Sequence, residues 1–294
     1  MKRHCAWLVL FVALVLRASA QVSVEVVLDQ EQFLPGEEMV AAIKITNRSG
    51  EVLHFGKTSE WLTLLIEGEG SYSAEVSSVL PDGTSFSLES SRLATKRLNL
   101  EPYFILTKPG RYRLSAKLRV PGLDQTVVSP LRKFDVITGT RLWEQEFGVP
   151  DSGHPPVVRS YLLQQANYLK QLQLYLRVTE SREERPIRVV RLGQMVSFGQ
   201  PTALLDRRSD LHLMFQNGPR SWRYCVFTPD GNCSLRQTHA MSENRPRLVV
   251  DEQGAVLVKG GLRAKTADDL PPEPEPEPPD ATPASTNQVV PPPP

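Results

Sequence analysis

After a Lys108-Pro109-Gly110 turn the chain places Tyr112, Leu114, Ala116 and Leu118 at every second position, with polar residues between them. A period of two sends alternate side chains to opposite faces of an extended backbone, so this stretch can bury its apolar set only as a strand. The rhythm is general over the first half of the chain. Val22, Val24 and Val26 repeat it, as do Met39, Ala41, Ile43 and Ile45 before the turn Asn47-Arg48-Ser49-Gly50. Trp61 to Ile66 is an apolar run of strand length, Pro81-Asp82-Gly83 marks a turn ahead of Phe86 and Leu88, and Leu131 to Val136 reads as a closing strand. No run of helical period and useful length intervenes. About seven strands in roughly 115 residues predict an antiparallel β-sandwich over residues 21–137.

The stretch Pro102-Tyr103-Phe104-Ile105-Leu106, followed by the Pro-Gly turn and Tyr112, resembles the penultimate strand of immunoglobulin-like domains in exported bacterial proteins. The resemblance covers residues 21–137 only. It implies that Tyr112 sits at the corner between two sheets with its hydroxyl bonded back to the chain. It carries no Cys, Trp, Cys set of the antibody type.

Residues 138–266 read as a second β-rich domain. Trp143 to Pro156 contains Gly148, Pro150, Gly153, Pro155 and Pro156, which suits a surface connector. Tyr161 to Val178 carries two patterns: Leu162, Leu163, Ala166, Leu169 and Leu172 fit a helix, whereas Leu172, Leu174, Leu176 and Val178 alternate like a strand, so a long strand is expected at the end and the start is left open. Short strands are expected at Arg188 to Leu192, Leu211 to Phe215, Trp222 to Phe227, Leu248 to Val250 and Val256 to Val258. Pro201-Thr202-Ala203-Leu204-Leu205-Asp206 aligns with Pro246-Arg247-Leu248-Val249-Val250-Asp251, a spacing of 45. That period suits propeller blades, but a propeller needs at least four of them, and the region is too short. Similar hairpins in a second sandwich, or an open sheet, are the expectation.

The first twenty residues set the compartment. Lys2, Arg3 and His4 precede the apolar run Cys5 to Leu16, and Ala18-Ser19-Ala20 offers small residues for cleavage, the pattern of a signal peptide. Twelve apolar residues are too few to span a bilayer, and no later stretch is long enough, so the mature chain is expected to be exported, periplasmic or extracellular. Cleavage would remove Cys5 and leave Cys225 and Cys233, a candidate disulfide in an oxidising compartment. Thr228-Pro229-Asp230-Gly231 between them predicts a hairpin turn. A three-residue loop there would set Cys225 opposite Leu235, so a bridge requires a bulge or another register.

Charge divides the chain. Residues 21–137 carry 13 Lys and Arg against 15 Asp and Glu, residues 138–266 carry 18 against 12, and residues 267–294 carry none against 6. Fifteen of the 18 cations in the middle region are Arg, which suits a carboxylate, phosphate or sulfate partner. An excess of six falls short of a nucleic-acid footprint. Arg220, Trp222, Arg223 and Tyr224, with His212 on a neighbouring strand, form a candidate ligand surface for sugar rings or an anionic polymer. No phosphate loop, Gly-x-Ser-x-Gly elbow or zinc motif occurs, so neither a catalytic residue nor a metal or cofactor is assigned. The tail reads Pro-Pro-Glu-Pro-Glu-Pro-Glu-Pro-Pro over Pro271 to Pro279 and ends in four prolines, a composition that disfavours folding and favours extended polyproline II. The overall expectation is an exported, non-enzymatic binding or scaffolding protein of the cell envelope, its partner an unidentified protein or envelope polymer. A carbohydrate or anionic-polymer binding module and an exported hydrolase are the alternatives.

Overall fold

The computed structural model describes residues 22–57, 59–69, 75–76, 85–122, 125–149, 157–181 and 186–271. Residues 1–21, the Pro81-Asp82-Gly83 turn, the Pro150 to Pro156 part of the expected connector and the tail beyond Pro271 lie outside these. The fold is all-β, with several sheets of which none closes on itself.

Strands β1 (Val22–Leu28), β2 (Gln32–Phe33), β3 (Val40–Asn47), β4 (Leu53–Phe55), β5 (Leu62–Gly68), β6 (Glu75–Val76), β7 (Phe86–Leu88), β8 (Leu93–Asn99), β9 (Phe104–Ile105), β10 (Gly110–Val120), β11 (Gln125–Val128) and β12 (Arg132–Val136) make the N-terminal body. One sheet runs β1-β3-β8. The other centres on β10, which pairs with β5 on one side and with β11 and β12 on the other, while β2 lies parallel to β12. Alternation decides which side chains go inside: Val22, Val24, Val26 and Leu28 meet Ile43, Ile45, Leu64, Ile66, Leu114 and Leu118 in one core. The Tyr112 hydroxyl donates to the Lys108 carbonyl at 2.7 Å, closing the Pro-Gly turn onto β10.

Strands β13 (Thr140–Gly148), β14 (Val158–Tyr168), β15 (Gln171–Glu180), β16 (Pro186–Gln194), β17 (Thr202–Leu205), β18 (Leu211–Gly218), β19 (Ser221–Phe227), β20 (Cys233–Ala240), β21 (Arg247–Val250), β22 (Val256–Lys259) and β23 (Leu262–Ala264) make the rest. A four-stranded sheet, β13-β14-β15-β16, faces a five-stranded sheet, β17-β18-β19-β20-β23. Leu163, Leu174, Leu176 and Val178 from the first meet Leu211, Leu213, Phe215, Cys225 and Phe227 from the second. The outer face of the five-stranded sheet is covered by the β21–β22 hairpin, which packs Leu248 and Val256 on Met214, Trp222, Tyr224 and Val226. The outer face of the four-stranded sheet meets the N-terminal body through Leu34, Ala166, Tyr175 and Val189.

One expectation for this region is corrected and one open reading is settled. Trp143 to Gly148 is not a connector but the end of edge strand β13, whose side chains are mostly exposed because only Phe147 turns fully into the core. The helix-like spacing from Leu162 to Leu169 belongs to β14. Leu169 and Lys170 take left-handed backbone angles (φ 45° and 70°), and this two-residue turn sends the chain straight back as β15. Tyr161 and Leu163 are then buried on the strand period while their neighbours are not, and long-range pairing overrides the local pattern.

The weak repeat at spacing 45 is a repeated hairpin. Asp206 ends β17, and its carboxylate accepts from the N–H groups of Arg208 (2.8 Å) and Asp210 (2.9 Å). Asp251 ends β21 and accepts from Gln253 (3.0 Å) and Ala255 (2.7 Å) in the same way. Ser209 and Gly254 hold the equivalent left-handed position, at φ 63° and 79°. The shared Asp is therefore a turn device, which places two like hairpins on adjoining sheets.

Candidate functional site

Most of the residues first expected to present a ligand surface are buried rather than exposed. On β18 and β19, His212, Met214, Trp222, Tyr224 and Val226 share a face, and that face lies under the β21–β22 hairpin. Trp222, Tyr224 and His212 are all buried. The His212 Nδ1 is 2.7 Å from the Tyr224 hydroxyl, and its Nε2 is 3.5 Å from Asp206 Oδ2. This buried polar row joins the turn of one hairpin to the sheet. Burial, then the Asp206 and Cys225 charges, pushes the Tyr224 phenol up to about 12, which suits a hydrogen-bonding group better than a nucleophile. Arg223 alternates to the opposite face, where it donates to the Leu192 carbonyl (3.2 Å) and to Asp268 (3.2 Å). Only Arg220, at the β18–β19 turn, is exposed as expected.

The cysteine pair also departs from expectation. Phe227 faces Cys233 as a three-residue loop requires, and a register shift between Phe227 and Val226 then sets Cys225 opposite Arg236 rather than Leu235. The bulge brings the thiols within hydrogen-bonding contact, yet both are free and no disulfide joins them. The contact divides their acidity. The Cys225 thiol donates to Cys233, which lowers Cys233 with help from Arg236, while donation and burial raise Cys225.

Two other places gather chemistry that the sequence reading did not single out. The first is a groove of about 530 Å³ at the mouth of the hairpin layer, lined by Phe198, Gln200, Thr202, Trp222, Arg245 and Arg247 among others. Phe198, in the β16–β17 connection, is 82% exposed, an unusual position for a phenyl ring. The Arg245 guanidinium stacks over the Trp222 ring, 5.4 Å from its centre. The Trp222 indole N–H is buried without an acceptor. Arg220, Arg245 and Arg247 are exposed, and among the described residues no carboxylate pairs with any of them. Sequence inspection passes over this groove because its parts come from two separate connections and from strands far apart in the chain, and an isolated Phe in a polar loop carries no period.

The second is a polar cleft of about 440 Å³ between the two bodies, lined by Asp29, Glu37, Glu38, Glu101, Arg188 and Arg191 among others. Glu37 is only 5% exposed. Its carboxylate accepts from the Leu34 N–H at 2.9 Å and from the Gln30 amide at 3.4 Å, and its backbone bridges Val189 of β16. Burial raises the carboxyl to about 7, against the opposing pull of the Leu34 hydrogen bond and Arg191. Among the described residues no group of three or more His, Cys, Asp or Glu side chains converges as metal ligands, and no helix is long and apolar enough to cross a membrane.

No family model matches the chain, and no curated protein matches it. Among solved structures, the crystal structure of Spo0M, a sporulation control protein from Bacillus subtilis, is similar over 59% of this chain and 90% of that one, at 11% identity and a TM-score of 0.28. A likeness of that size carries no argument about fold or function.

Proposed function

We propose that this chain is an exported, non-enzymatic binding protein of the cell envelope, built on an immunoglobulin-like N-terminal sandwich, and that it takes its ligand in the Phe198–Trp222–Arg245 groove. The observation that supports this reading most is the exposed Phe198 in one groove with Arg245 and Arg247, neither of which has a carboxylate partner among the described residues. An apolar ring left in water beside guanidinium groups is costly surface unless something covers it, and the exposed Phe198 ring with Arg donors beside it suits ligands that have both an apolar face and negative charge. The signal-peptide pattern at residues 1–20 supports export. The Arg content of the groove equally favours the narrower reading of a carbohydrate or anionic-polymer module.

Co-sedimentation of the mature chain with an isolated envelope fraction tests both. The expected result is binding that weakens from low to high salt and is lost in Phe198→Ala and in Arg245→Glu. Binding that neither substitution changes would move the ligand away from the groove. No binding at any salt concentration would remove the envelope reading.

A further inference from the structure

We propose that Cys233 and Cys225 form a reversible redox site, in which a small hydroperoxide oxidises Cys233 and Cys225 closes the product to a disulfide. The site lies on the other face of β19 from Trp222 and does not depend on what the groove binds.

Strand pairing puts both sulfurs on the inner face of the five-stranded sheet. Cys225 is opposite Arg236 and Cys233 is opposite Phe227, so the two cysteines are diagonal neighbours, with Ser234 left unpaired in the bulge. Diagonal β-carbons normally stand about 7 Å apart, whereas a disulfide holds them at about 3.8 Å. The thiols touch without bonding, and joining them would draw β20 towards β19 at the bulge, where the ladder is already interrupted. A disulfide closed against its ladder is easily reduced, which suits a bond that is made and broken better than a staple.

The two sulfurs differ in access. Cys225 is buried, while Cys233 is half-buried beside a pocket of about 170 Å³ that both cysteines line together with Arg191, Arg223 and Arg236. Among the described residues no carboxylate lines it. Arg191 stacks on Tyr168 and Arg223 reaches out to Asp268, but the Arg223 Nε–H is buried without an acceptor. Protonated, Cys233 donates to the Leu235 carbonyl at 3.3 Å. Ionised, it accepts from the Cys225 thiol, from Arg236 and from the Leu235 N–H, and these hold it below the usual thiol range. The pocket thus presents a thiolate, room for hydrogen peroxide or a short alkyl hydroperoxide, and N–H donors for the departing oxygen.

The Cys233 sulfur attacks one peroxide oxygen. An S–O bond forms, the O–O bond breaks, and the departing oxygen takes up the proton that Cys233 had released. Cys233 is now a sulfenic acid, and the hydroperoxide has been reduced to water or an alcohol. The Cys225 sulfur then attacks the Cys233 sulfur, forming S–S and breaking S–O, and the hydroxyl leaves as water with the Cys225 proton. Burial keeps Cys225 a thiol until that step, so the buried partner resolves and the accessible one reacts first. An external dithiol restores the pair by exchange and is itself oxidised to a disulfide.

The test uses the chain from Gln21 onward, whose only cysteines are this pair. The reduced protein is exposed to hydrogen peroxide, remaining thiols are alkylated, and peptide masses are read. The expected result is a Cys225–Cys233 link within one chain that dithiothreitol removes from the folded protein. Cys225→Ala should stop at a Cys233 sulfenic acid that dimedone traps, and Cys233→Ala should leave Cys225 a thiol at the same exposure. Arg236→Gln should slow the oxidation several-fold at about pH 6.5 and little at about pH 9, and Arg236→Lys should restore most of the rate. A link between two chains would overturn the proposal. So would Cys233 carried on to a sulfinic acid while Cys225 stays a thiol, Cys225 oxidised as fast without Cys233, or equal rates in the parent and Arg236→Gln at every pH. A bond already present in the exported protein, which dithiothreitol leaves intact while the chain is folded, would overturn it in favour of a structural staple.

Discussion

Replacing Glu37 by glutamine should stabilise the protein at alkaline pH and leave it unchanged at acid pH. Glu37 sits where the N-terminal body bridges Val189, and burial raises its carboxyl from 4.5 to about 7. Below 4.5 the carboxyl is protonated whether the chain is folded or not, and ionisation takes nothing from stability. Between 4.5 and 7 the folded chain holds a proton that the unfolded chain has lost, so stability falls as pH rises, and the loss is complete above 7. The span corresponds to at most about 3 kcal/mol. The amide introduced by Glu37→Gln keeps an acceptor for the Leu34 N–H and adds a donor within reach of Gln30, whose Oε1 is buried without a partner. Urea unfolding of both chains at pH 4.5, 6, 7 and 8.5 measures this. His239, which burial and Arg263 lower, titrates equally in both chains and cancels in the difference, whereas Asp29, whose charge acts on Glu37, is part of what the difference reads. The two curves should coincide at pH 4.5 and separate by about 3 kcal/mol at pH 8.5, with the variant above, a melting difference of roughly 6 to 12 °C. Curves that stay parallel within about 0.5 kcal/mol across the range would refute the claim that an ionised Glu37 is held dry between the bodies.

Gly36 has φ +80°, and a β-carbon there would lie 2.3 Å from Pro186 Cγ, so Gly36→Ala should destabilise the interface by at least about 2 kcal/mol, read by thermal unfolding. Tyr224→Phe removes the partner of a buried His212 nitrogen and should cost about 1 to 3 kcal/mol, measured by urea unfolding at pH 8. Gly254→Ala strains the left-handed turn of the β21–β22 hairpin and sets a β-carbon 3.0 Å from Arg207 Nε. Its expected effect is about 1 kcal/mol and faster hydrogen exchange in that hairpin, with the rest of the sheet unchanged. Iodoacetamide should alkylate Cys233 well before Cys225 at pH 7, and Cys225→Ala, which removes the donor to Cys233, should shift the reactivity of Cys233 to higher pH.

What was readable in the sequence depended on whether a residue's partners were periodic or local. The β10 alternation fixed its own burial because period two leaves no other way to hide Tyr112, Leu114 and Leu118. The Thr228 to Gly231 turn was readable because it is closed by its own Gly231 N–H to Thr228 carbonyl bond, 2.7 Å long. Trp222 and Tyr224 were correctly placed on one face of one strand, yet the same pattern cannot say whether another layer covers that face. Here the covering layer is the second copy of the 45-residue repeat, so the feature that hinted at blades is what turns the expected ligand surface into core. The covering also creates the groove. Arg245 and Pro246 lead into β21, and laying that hairpin over Trp222 brings Arg245 onto the ring and Arg247 to the rim, facing Phe198 from a connection nearly fifty residues earlier in the chain. The binding site proposed for this protein is therefore a product of the repeat, assembled where the second hairpin lies over Trp222.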